Sequence, residues 1–182
     1  MGIRFVSTEP ADLAALQKAV KDEPACTAGA WGGGVAAVEG FLRRVVADIG
    51  RLPHVRVPHA EFRNYGSGYA SYVDVFVARR AGPDIEGLGL ALCRLAPFAA
   101  LFEPGIRSSS FREMPQLGRV ADCDVPGWKE ECRELRHILD QHGIALLDSQ
   151  TLALPLDPRL RVETFLGDPP YRVFDAWFHW ID

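Results

Sequence analysis

At Gly50 the hydrophobic period of this 182-residue chain changes from the 3.6 of a helix to the two of a strand. Before it, Val35, Val38, Leu42, Val45 and Ile49 recur three and four residues apart, with Glu39, Arg43 and Asp48 on the other side. That spacing predicts a helix over 34–49, with Gly50 as its stop. Beyond it, Tyr69, Ser71, Val73, Val75 and Val77 alternate with Tyr72, Asp74 and Phe76. This predicts a strand over 69–79, joined through Gly66-Ser67-Gly68 to a first strand over 54–64.

The remaining segments extend the order without making it regular. Thr8, Glu9 and Asp12 suit the start of a helix over 8–21, whose apolar face is Leu13, Leu16 and Val20. Residues 22–33, with Pro24, Gly29, Gly32 and Gly33, read as a loop. Past the Gly82-Pro83 turn, the apolar run 87–93 fits strand or helix. Ala99 to Phe102 reads as a short strand, Glu103-Pro104-Gly105 as a turn, and 106–112 as a polar edge strand. A third helix runs from Pro126 to His142, with Gly143 as its cap and Trp128, Cys132, Leu135 and Leu139 along one side. Short apolar pieces follow at 144–147 and 151–154, and Tyr171 to Ile181 reads as an aromatic strand. Helices and strands do not alternate one for one, so a doubly wound parallel fold is disfavoured. The expectation is a single α+β domain over 1–182: a mostly antiparallel sheet packed with about three helices.

Composition narrows the class of partner. Twenty basic and twenty-four acidic residues leave a net charge of −4, with a pI near 5.7. That argues against a general nucleic-acid binder, which works through Lys and Arg on phosphates. No run of about 18 apolar residues predicts a membrane span. Four scattered cysteines (Cys26, Cys93, Cys123 and Cys132) are not a disulfide framework. Met1–Pro10 lacks a signal-peptide pattern, and Val6 stands where myristoylation wants Ser or Thr. The expected location is cytoplasmic. Arg far outnumbers Lys, and Ala and Gly are abundant, as in GC-rich bacterial genes.

Most catalytic patterns fail on geometry. Cys123, Cys132, His137 and His142 have the composition of a zinc set. However, the cysteines are nine residues apart, and residues five apart on a helix project about 140° from one another. His59-Ala60-Glu61 is half of a zinc deaminase signature whose P-C-x-x-C half is absent. On a strand, His59 and Glu61 share a face, and Asp74 on the neighbouring strand makes a possible third member of an acid–base or metal set. Ser67 sits in a hairpin rather than a nucleophile elbow, Ser108 to Ser110 have no nearby His, and Cys93 lies in an apolar run. Gly32-Gly33-Gly34 precedes a helix but lacks the Gly-Lys-Ser/Thr of a phosphate loop. No metal and no cofactor is called.

Aromatic residues supply the alternative. Trp31, Tyr65, Tyr69 and Trp177 are candidate anchors for a protein partner, since Trp and Tyr are favoured at interfaces. Tyr171-Arg-Val-Phe174-Asp-Ala-Trp177-Phe178-His-Trp180-Ile-Asp182 resembles the terminal strand of small bacterial immunity proteins, which neutralise polymorphic or contact-delivered toxins. The stretch from Gly89 to Phe102 has a similar flavour. The resemblance spans about 26 residues and contains no diagnostic motif. It implies a non-catalytic α+β protein that binds and occludes one toxin domain, and it carries over no specific residue. Two rival readings stand beside it: a small-ligand binder or enzyme using His59, Glu61 and Asp74, and a homo-oligomeric scaffold.

Overall fold

A computed structural model describes residues 10–62, 68–106, 115–122, 125–164 and 168–181, with side chains from residue 13 onward. In chain order the elements are α1 (Pro10–Ala19), a 3-10 turn (Gly29–Gly33), α2 (Val35–Ile49), β1 (Val55–Glu61), β2 (Tyr69–Ala70), β3 (Tyr72–Arg79), β4 (Glu86–Cys93) and β5 (Phe98–Ile106). There follow a second 3-10 turn (Leu117–Arg119), α3 (Lys129–Gln141), β6 (Ala145–Leu146), α4 (Ser149–Leu152), α5 (Val173–Trp177) and β7 (Trp180–Ile181). The fold is α+β, as the irregular element order implies. Its main sheet runs β1-β3-β4-β5-β6, with only β5 and β6 parallel, and β2 pairs separately with β7.

The interior strand β3 is buried along both faces, and its alternation divides the core in two. Val73, Val75 and Val77 point to one layer, where Leu42, Val45 and Ile49 of α2 and Cys132, Leu135 and Leu139 of α3 pack on them. Tyr72 points to the other, where Leu16 and Ala19 of α1 and Val173, Phe174 and Trp177 of α5 meet Cys93, Phe98 and Ala100. Each fully buried aliphatic side chain contributes about 1.5–3 kcal/mol, so the layers are held mainly by apolar contact.

Local chemistry explains the helix limits. Gly34 starts α2 at φ +79, a backbone angle that costs a side-chain-bearing residue energy. At the end of α3, Gly143 has φ +70; its N–H donates to the Asp140 carbonyl and that of Ile144 to the Leu139 carbonyl. Buried Ile144 then packs near Leu139, completing a Schellman stop. Two prolines inside strands sit where the ladder slips. Pro58 lies in edge strand β1 between Arg56 and His59, where the register with β3 shifts. Pro104 lies in β5, where two residues, Glu103 and Pro104, oppose one, Leu88, of β4. A proline has no N–H to give a ladder, so a bulge accommodates it. Glu103-Pro104-Gly105 is therefore part of β5 rather than the turn that its composition predicts.

The C-terminal segment also departs from expectation. Val173–Trp177 is helical, and only Trp180–Ile181 forms a strand. The Asp175 carboxylate accepts the Arg172 N–H at 2.6 Å, closing the first turn of α5. Helical spacing then turns Phe174, Trp177 and Phe178 toward one core, where alternation would have set Phe174 and Trp177 on opposite faces. The predicted edge strand at 106–112 falls largely outside the described residues.

Polar clasps join the helices to the sheet. Arg79 of β3 donates to Glu131 of α3 at 2.8 Å, donates to the Gly127 carbonyl and lies 4.0 Å over the Trp128 ring. Arg79→Ala is expected to cost about 1–3 kcal/mol, because it strands the buried Glu131 carboxylate. A urea midpoint equal to that of the parent would show that the clasp is dispensable. His54 is held by Glu134, with Nδ1 2.5 Å from Oε1 and its backbone N–H donating to Oε2 at 3.2 Å. That hydrogen bond, reinforced by the Glu134 charge, raises the imidazole above its usual value. The clasp is therefore complete below the ordinary histidine range and is lost as pH rises through the raised value. An NMR titration should find the His54 midpoint above 6.5 and return it toward that value in Glu134→Gln; identical midpoints would contradict the assignment.

Candidate functional site

The α1–α5 layer covers only part of its sheet face. Beyond its edge lies a cleft whose free space, open mouth included, is about 500 Å3, and whose floor residues Asp74, Phe76 and Phe102 are themselves buried. Its floor comes from adjacent strands: Asp74 and Phe76 of β3, Gly87 and Gly89 of β4, and Phe102 of β5. Glu103, Gln116 and Arg119 stand around it. The segment after the second 3-10 turn is tied to β5, because the Ala121 N–H donates to the Leu101 carbonyl at 2.8 Å.

Two glycines make this floor. A Cβ at Gly87 would come within 2.3 Å of the Val77 carbonyl oxygen and 2.9 Å of the Phe76 ring. A Cβ at Gly89 would sit 3.2 Å from the Phe102 Cβ. The missing side chains let both phenylalanines lie down against the sheet. Gly87-x-Gly89 inside a strand is the one sequence signal for this cleft, since spaced glycines mark close approach. Glu103, Gln116 and Arg119 carried no such signal.

The alternative catalytic set is only partly assembled. Glu61 stands directly across the ladder from Asp74, while His59 stands across from Phe76, so all three share the cleft's face of the sheet. Asp74 is buried and Glu61 partly buried, but His59 is exposed. The register therefore brings the two carboxylates together and leaves the histidine one pair further along.

The proposed aromatic anchors divide differently. Trp177 is completely buried, its ring edge-on to Phe98 with centroids 5.0 Å apart. Trp31 is also buried, 5.2 Å from the Phe41 ring. Neither is available to a partner; both are core residues, because each side of the sheet carries a layer that alternation along the chain does not reveal. Tyr69 is partly buried, and Tyr65 lies outside the described residues.

Other reactive groups are committed to structure. The His179 ring is fully buried, with Nε2 2.6 Å from Asp22 Oδ1 and Nδ1 3.2 Å from the Ala176 carbonyl. The nearby Ser71 hydroxyl accepts the backbone N–H of His179 at 2.8 Å and donates to the Trp177 carbonyl at 2.9 Å. Both ring nitrogens face other groups, so this Asp–His–Ser neighbourhood is not a nucleophilic triad. Burial pushes the Cys93 thiol up to about 12, so it holds no thiolate near neutrality. Cys132 is in the core, His137 pairs with Gln141, and His142 pairs with Asp48; Cys123 lies outside the described residues. Among the described residues no group of three or more His, Cys, Asp or Glu side chains is placed to hold a metal ion. No described helix is long and apolar enough to cross a membrane. Gly32 and Gly33 serve packing: a Cβ on the first would meet the Thr27 carbonyl at 2.3 Å, and on the second the Ala37 Cβ at 2.6 Å.

Comparison with protein-family models, with curated proteins and with solved structures returned no match. Trp177→Ala is expected to cost about 3–5 kcal/mol of stability, the range for emptying a buried aromatic site. A calorimetric profile matching the parent would return Trp177 to the role of a surface anchor.

Proposed function

We propose that this chain is a non-catalytic protein-binding domain whose partner docks in the cleft, and that its role is that of an immunity-type inhibitor covering a toxin's active site. The cleft's rim carries the reading: Glu103 and Gln116 are exposed and Arg119 partly so, around a buried aromatic and glycine floor on a rigid sheet. An apolar centre within a polar rim is the anatomy of a protein interface. Strands on both sides preorganise it, which lowers the cost of ordering on association. The commitment of His179, Ser71 and Cys93 to structural bonds favours binding over nucleophilic chemistry.

Co-expression of the tagged chain with an inactivated copy of the neighbouring gene's product tests this reading. The expected result is a stoichiometric complex that survives gel filtration. Glu103→Lys and Gln116→Arg lie at exposed positions and leave the fold intact, and each is expected to weaken the complex at least tenfold. A partner that stays bound through both changes would remove the cleft from the interface. If no complex forms, while a metal or small molecule binds the parent and not His59→Ala, the acid–base set of His59, Glu61 and Asp74 replaces this reading.

A further inference from the structure

On the opposite side of the sheet from the cleft, α2 stands away from the start of β3 and leaves a second cavity. Its walls are Val38 and Leu42 of α2, Val73 of β3, and Leu95, all of them otherwise core residues. Its cavity volume is about 70 Å3, several times the roughly 10–15 Å3 that a single water needs. Gly34 and Val35 lie at the cavity where α2 begins, and Val35 is 77% exposed. Close packing is the norm in a core, so an apolar gap of this kind costs stability unless something fills it.

The polar groups in the cavity restrict what that is. Asp22 lines it, but its carboxylate is engaged with His179 at 2.6 Å. Glu39 lines it and is engaged with Arg43, also at 2.6 Å. Arg94 donates to the carbonyls of Tyr72 and Phe62. Charges of both signs are therefore present and tied to protein groups, so the cavity does not select a charged ligand. Tyr69 differs: among the described residues its hydroxyl makes no hydrogen bond. Burial raises its pKa far above the usual tyrosine value, so the phenol stays a neutral donor. A donor in an apolar pocket is the feature that fixes the orientation of a small ligand.

We infer that this cavity is a binding site for an uncharged, mainly apolar small molecule carrying one acceptor oxygen, which takes a hydrogen bond from Tyr69. The site is independent of the protein-binding cleft, and either assignment stands without the other.

Three probes of similar shape test it: acetophenone, ethylbenzene, which lacks the oxygen, and benzoate, which carries a charge. Titration of the full chain is followed by NMR at the methyl groups of Val38, Leu42 and Val73. Acetophenone is expected to shift these signals, and to bind roughly three- to tenfold more tightly than ethylbenzene, the worth of one net hydrogen bond. Tyr69→Phe should abolish that difference, and Val38→Phe should fill the cavity and block both ligands. Absence of shifts up to the solubility limit of acetophenone would overturn the site. Equal or tighter binding of benzoate would overturn the choice of a neutral ligand. An acetophenone preference that survives in Tyr69→Phe would overturn the role of the hydroxyl. If Val38→Phe does not fold, Val38→Met, which adds volume at the same wall, serves as the second variant; parent-like affinities there would count against the cavity.

Discussion

Burial of β3 on both faces is the constraint from which the architecture follows. Val73, Val75 and Val77 need one apolar layer and Tyr72 needs another, so no two-layer arrangement satisfies the strand. Helices α2 and α3 supply the first layer. The second is built from distant pieces, α1 at the start of the chain and α4 and α5 near its end, and is clipped to the sheet through Ser71, His179 and Asp22. Because this second layer is pieced together, it does not reach across the whole sheet. The cleft lies over the part of β3, β4 and β5 beyond its edge, above a floor that is itself buried.

Asp74 belongs to this arrangement. It lies on the same strand face as Tyr72, two residues along, and is itself buried where it lines the cleft. Cross-strand pairing with Glu61 puts two carboxylates at the cleft's edge, while Phe76 and Phe102 give it an apolar base. The same strand thus contributes to the core and to the cleft. A surface formed by strand residues is more rigid than one formed by loops, which lowers the ordering cost of the proposed docking.

What was legible in the sequence depended on how local its cause was. The stripe Val38, Leu42, Val45 and Ile49 and the Gly143 stop act within one helix, so α2 and α3 were readable from spacing alone. The pairing of the β1 and β3 segments followed from alternation, and it placed His59, Glu61 and Asp74 on one face. Residues 173–177 were not readable in this way. Phe174, Trp177 and Phe178 fit a buried strand as well as a short helix, and the Asp175 contact with the Arg172 N–H that favours the helix is a three-dimensional fact. Trp31 and Trp177 looked like anchors because a sequence does not disclose how many layers cover a sheet. Glu103-Pro104-Gly105 looked like a turn because Pro and Gly serve bulges as well as turns. The cleft had only the faint signal of Gly87 and Gly89, since its rim comes from residues far apart in the chain.

The central claim is that the cleft on this sheet face receives another protein at its exposed rim. Amide hydrogen exchange of the purified complex, compared with the free chain, tests it most directly. The account predicts added protection at residues 87–89, 102–105 and 116–119, with the α2–α3 layer unchanged. Protection confined to α2 and α3, with those three segments exchanging as in the free chain, would contradict it.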